Sequence, residues 1–146
     1  MENFNFRLQK VLDIKFKNEE ESKVKYSKAQ REKRAVEEEL EILKSNYKRY
    51  SDEINIEDIV TRKITSNYLN TLSNIISIKS SELNKKQVIL NEARIDLLNK
   101  QIERKSLEKL KKNKYILHKK EENQKEQNIN DEFGIYSYLR RKSEDI

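Results

Sequence analysis

Hydrophobic residues in the first third of the chain recur in alternating steps of four and three. From Leu8 the steps land on Leu12, Lys15, Glu19, Ser22, Tyr26, Ala29, Lys33, Val36, Leu40, Leu43, Tyr47, Tyr50 and Ile54, and ten of these fourteen positions are apolar. That spacing is a heptad stripe on an α-helix. A helix with one narrow apolar seam and charge on its other faces cannot bury the seam against itself, and each Leu-sized side chain left in water forgoes about 1.5–3 kcal/mol. The helix needs a partner. A second periodic run supplies one at Leu69, Leu72, Ile76, Lys79, Leu83, Lys86, Leu90, Ala93 and Leu97, then slips in phase and resumes at Leu107, Leu110 and Leu117. Such a slip is a stammer, which changes the local winding of a coil.

These patterns predict an all-α fold, an antiparallel two-helix coiled-coil hairpin spanning residues 1–146 as one unit. The first helix is expected over about 3–51, roughly 70 Å long, with Asn3 as its cap. A turn is placed at about 52–60, where the 3.5-residue period fails and polar residues alternate with isoleucines, with Ser51 or Asn55 capping the second helix. That helix is expected over about 61–133, on the order of 110 Å long, with a tail to 146. Folding about residue 56 sets position i opposite about 112 − i. Glu19 then falls near Arg94, Ser22 near Asn91, and the longer second helix overhangs the first beyond about residue 109.

Composition agrees with a long-helix class. Hydrophobic residues make up 34% of the 146 and charged residues 40%, too little apolar material for a layered globular core. There is no proline and only one glycine, Gly134, so 133 consecutive residues contain neither strong helix breaker. The 32 basic and 26 acidic residues nearly cancel and the apolar positions are periodic, which argues against disorder. No cysteine is present, so disulfides and thiolate chemistry are excluded, as suits a reducing compartment. Arg7 and Lys10 precede no apolar signal core, and no run of 18 apolar residues occurs, so neither a cleaved export signal nor a membrane span is expected.

Charge is uneven along the second helix. Residues 104–120 carry eight basic side chains against Glu108 alone, a local net charge of +7. Charge runs are most often solvated helix faces, but this one is one-signed and begins where the first helix stops covering the second, which weakens that reading. His118, the sole histidine, lacks a second ligand or base, one glycine cannot build a phosphate loop, and an open two-helix rod has no pocket to shift a carboxylate pKa. No enzyme activity, metal or cofactor is expected. Tyr47, Tyr50 and Tyr68 cluster around the turn with Leu43, Leu69, Leu72 and Ile76 nearby, and serve either as the end of the seam or as an aromatic docking surface.

Two stretches carry a family resemblance. Phe4-Asn5-Phe6-Arg7-Leu8-Gln9-Lys10-Val11-Leu12 resembles the F-x-F-R-L-Q-x-V-L opening of the FliJ family of flagellar type III export proteins. Glu103-Arg104-Lys105-Ser106-Leu107-Glu108-Lys109-Leu110, together with Glu126-Gln127 and Asp131-Glu132 further on, resembles that family's E-x-K-x-L-E-K-L and E-Q-x-x-x-D-E pattern. The resemblance implies a non-enzymatic coiled coil, similar to the central stalk of rotary ATPases, that serves flagellum biogenesis, motility and chemotaxis. Its implied partners are the hexameric flagellar export ATPase, the membrane export gate and export chaperones, and its implied place is the cytoplasm, at the inner face of the membrane at the flagellar base, as a monomer. Phe6, Arg7, Lys10, Arg104, Lys105, Leu107, Lys109 and Lys112 are the candidate ATPase contacts. Leu43, Tyr47, Tyr50, Leu69, Leu72 and Ile76 are the candidate gate contacts. Two other functions compete: a generic structural or adaptor coiled coil whose long second helices pair, and nucleic-acid or anionic-membrane binding through residues 104–120.

Overall fold

The computed structural model describes residues 4–55 and 58–144. Two helices, α1 (Gln9–Glu53) and α2 (Ile59–Glu144), pack against each other, and no strand occurs among the described residues. The expected heptad positions of α1 are the ones that become inaccessible: Leu12, Glu19, Ser22, Ala29, Val36 and Leu40 are buried, and Lys15, Tyr26, Lys33, Leu43 and Tyr50 are half-buried.

Helix boundaries differ from expectation at three places. Residues 4–6 are not helical, Arg7 and Leu8 form a turn, and α1 begins only at Gln9; Asn3 lies outside the described residues. The Gln9 amide donates to the Phe6 carbonyl at 3.1 Å and the Leu12 amide to the Leu8 carbonyl at 2.9 Å, so the first helical bonds form around Phe6 and Leu8. At the other end of α1, Ser51 remains helical, and the cap of α2 is Asp58 rather than Ser51 or Asn55; positions 56 and 57 of the expected turn lie outside the described residues. The Asp58 Oδ1 accepts from the Thr61 amide at 2.7 Å while its carbonyl accepts from the Arg62 amide at 2.8 Å. A carboxylate there satisfies an orphan amide and sits at the positive end of the helix dipole. Finally, α2 continues through Gly134, where a tail was expected. One glycine costs a helix about 1 kcal/mol relative to alanine, too little to stop it when none of the described residues turns left-handed.

The chain divides into two compact units, residues 17–101 and residues 1–16 with 102–146. Within the first, the pairs that meet across the helices are Ser22 with Asp96 at 2.7 Å, Glu32 with Lys86 at 3.2 Å, Glu39 with Lys79 at 2.7 Å, and the Tyr50 and Tyr68 rings at 5.1 Å. Each pair of residue numbers sums to 118. Within the second, Lys15 meets Glu103 at 3.0 Å, also at 118. The register expected at 112 − i is therefore wrong by six residues, close to one heptad, and Glu19 and Ser22 do not face Arg94 and Asn91. A heptad shift leaves apolar seams in contact, so hydrophobic periodicity hardly opposes it; the polar pairs do. Ser22 and Glu19 are buried, and no buried side-chain polar atom among the described residues lacks a partner. In any other register Ser22 would lose Asp96, at about 1–3 kcal/mol.

The expected stammer after Leu97 is absent. The buried face of α2 runs through Leu90, Ala93, Leu97, Lys100, Arg104 and Leu107 in unbroken steps of three and four. Lys100 and Arg104 fill seam positions with their aliphatic stems, while Leu110 and Leu117 fall on the exposed side.

Register and cap can each be tested. In a chain without native cysteine, the pair S22C/D96C should oxidise to an intrachain disulfide and S22C/L90C should not, as read by gel mobility under non-reducing conditions. Hydrogen bonds from the Thr61 side chain and amide hold the Asp58 carboxyl below its ordinary range. A depressed acid stabilises above its unfolded pKa and loses that contribution as pH falls through the folded value, so fraying at the start of α2 should increase below about pH 4. Amide exchange at Thr61 should show this in the native chain and not in Asp58→Asn.

Candidate functional site: a strapped helix pair and an aromatic turn

Residues 4–8 lie against α2 as a short strap. The Phe4 ring meets Tyr115 edge-on at 5.4 Å and 70° and lies against His118 at 5.5 Å, and Phe6 is buried to 8% exposure. The local sequence explains the strap: Phe4 and Phe6 alternate with Asn5, so both aromatics can turn to one side of an extended segment. Next to the strap, Lys111 and Arg104 join α2 to α1, and two further pairs lie within α2 itself. Lys111 Nζ donates to Gln9 Oε1 at 2.6 Å, Arg104 lies 5.3 Å from the Phe16 ring and pairs with Glu108 at 2.9 Å, and His118 Nε2 is 3.1 Å from Glu122 Oε1. An open groove of about 640 Å³ remains beside the strap, lined by Phe4, Phe6, Leu8, Leu110, Leu117 and His118 among others.

Of the candidate ATPase contacts, all eight fall in this unit, but they divide by accessibility. Arg7, Lys10, Lys105, Lys109 and Lys112 are exposed, and Lys105, Lys109 and Lys112, at i, i+4 and i+7, share one basic face of α2; Phe6 is buried, and Leu107 and Arg104 are half-buried in the seam. The last three build the platform and only the five cations are free to meet a partner's surface. His118 takes an aromatic neighbour and a carboxylate, a structural setting, and no group of side chains able to hold a metal occurs among the described residues.

The candidate gate contacts fall in the other unit. Tyr50 packs edge-on against Tyr68 at 75°, and Arg49 lies 4.9 Å over the Tyr50 ring and donates to its hydroxyl at 3.1 Å. Leu69 and Leu72 are buried in the seam, Leu43, Tyr50 and Ile76 are half-buried, and Tyr47 is only just exposed. The accessible apolar surface here is a different one. Val60, Ile64 and Tyr68 stand four residues apart on one exposed face of α2, with Ile59 beside them. Their spacing was visible in the sequence, but a search for the buried seam passes over residues one position off it.

A model of the flagellar FliJ protein family matches residues 4–143. The chain belongs to the FliJ family. Membership makes it a component of the flagellar export apparatus, engaged in protein transport, and the two packed helices agree with the coiled coil expected from its periodicity. The match begins at Phe4, so the FliJ signature includes the strap as well as the helices. No curated protein and no solved structure matches the chain. No helix among the described residues is long and apolar enough to cross a membrane.

Removing the aromatic anchor should release the strap without melting the helices. For Phe4→Ala we expect exchange of the Gln9 amide, which donates to the Phe6 carbonyl, to quicken by tenfold or more, about 1.4 kcal/mol, with far-ultraviolet dichroism unchanged; equal protection in both chains would show that Phe4 does not hold the strap.

Proposed function

We propose that the protein acts as a stalk-like adaptor of flagellar export, binding the hexameric export ATPase through its basic surface and the membrane export gate through the aromatic end of the hairpin. The observation that carries this reading is the separation of two unlike exposed surfaces into the two units: Arg7, Lys10, Lys105, Lys109 and Lys112 in one, and Val60, Ile64 and Tyr68 in the other. A clustered positive surface steers and orients an acidic or carbonyl-lined partner, whereas an aromatic and aliphatic patch supplies the desolvated anchors of a protein interface. The protein works by contact and not by catalysis, raising ATPase assembly and activity, linking it to the gate, and handling export chaperones. Its place is the cytoplasmic face of the membrane at the flagellar base.

The paired charge reversal K105E/K109E should abolish stimulation of the cognate ATPase with helicity unchanged, because both side chains are exposed and make no cross-helix bond. Stimulation that persists would exclude the basic surface. The pair V60S/I64S should weaken capture of the gate's cytoplasmic portion by about tenfold while leaving ATPase stimulation intact. Equal losses on both partners would indicate collapse of the turn instead of a docking site.

A further inference from the structure

Beyond His118 and Glu122, α2 runs on with nothing packed against it: residues 123–144 are exposed on every side. Residues 123–128 are polar throughout, but the next stretch is not. Ile129, Phe133, Tyr136 and Leu139 are 51%, 66%, 68% and 55% exposed, and their spacing places them on one side of the helix. Single exposed apolar residues need no explanation, but a stripe of four, two of them aromatic, does.

We infer that this stripe pairs with the same stripe of a second copy of the chain, antiparallel, about a two-fold axis at Tyr136. Three features favour a second copy over any other occupant. First, the centre of the stripe is symmetric: Phe133 and Leu139 lie three residues either side of Tyr136, so reversal about Tyr136 sets Phe133 level with Leu139, with Ile129 level with Ser143 at the ends. A closed two-fold contact requires such self-complementarity. Second, the flanking charges obey the same symmetry. Glu132 and Arg140 lie on the same arc, each four residues from Tyr136, and the axis sets Glu132 of one copy opposite Arg140 of the other, twice. Third, Glu132 stands in the middle of the apolar arc, where a lipid surface would have to bury an uncompensated carboxylate and a two-fold partner supplies a guanidinium. About fifteen residues per copy give an interface near the lower limit for specific pairing, roughly 1,200 Å², so association is expected at micromolar and higher concentrations.

The charge pair makes the test specific. Sedimentation velocity of the full chain should show a dimer forming at about 10–100 µM. Glu132→Arg and Arg140→Glu should each weaken dimerisation by tenfold or more, because each places like charges opposite each other at both ends of the contact. An equimolar mixture of the two variants should restore it, since the two arginines of one then face the two glutamates of the other. A wild-type chain that stays monomeric to about 200 µM would overturn the inference. So would a mixture that stays monomeric, or a monomeric chain that instead sediments with phosphatidylglycerol vesicles and stops doing so on Phe133→Ser. None of these residues belongs to the basic surface or the aromatic turn, so the outcome is independent of the ATPase and gate experiments.

Discussion

The structure depends on a few polar contacts placed inside a thin apolar seam. Two helices that share one stripe bury enough side chains to hold together, but the stripe repeats every seven residues and tolerates sliding. The hydrogen bond from Ser22 to Asp96 and the ion pairs of Glu32 with Lys86 and Glu39 with Lys79 do not tolerate it. Exposed ion pairs contribute little to stability, on the order of 0–1 kcal/mol. Their effect is on choice: each favours one register over its neighbours by a small amount in the same direction. Lys79 illustrates this, since its hydrogen bond to Glu39, and after it one to Glu82, raises its pKa.

The seam leaves other surfaces over. A two-helix layer can bury one stripe per helix, so any further apolar or one-signed stripe stays in solvent and is available to another protein. In the unit that carries the strap, the seam takes Phe6, Arg104 and Leu107 and leaves Lys10, Lys105, Lys109 and Lys112 outside. In the other, it takes Leu69 and Leu72 and leaves Val60, Ile64 and Tyr68. The same limit explains the stretch after Glu122, where α2 continues with no partner at all and its aromatic stripe stands in water.

The fold class, the antiparallel pairing and the buried face of α1 were legible in the sequence, because they arise from a seam sustained over more than six heptads without a helix breaker. The family signature was legible too, in the residues 4–12 and 103–110. The buried face of α2 was harder to see. Lys100, Arg104 and Lys111 occupy it, and a pattern built from apolar letters cannot count a lysine stem as hydrophobic, so the seam seemed to slip where it runs on.

What the amino-acid order determined by itself was helix, period, the fact of antiparallel pairing and the family to which the chain belongs. Tertiary structure decided the rest. The register at 118 − i, the strap of residues 4–8 and the identity of the exposed stripes all depend on which residues meet across the pair. The physical reason is that a heptad repeat is nearly degenerate to a shift of seven. Only side chains distant in sequence, brought within hydrogen-bond reach, lift that degeneracy.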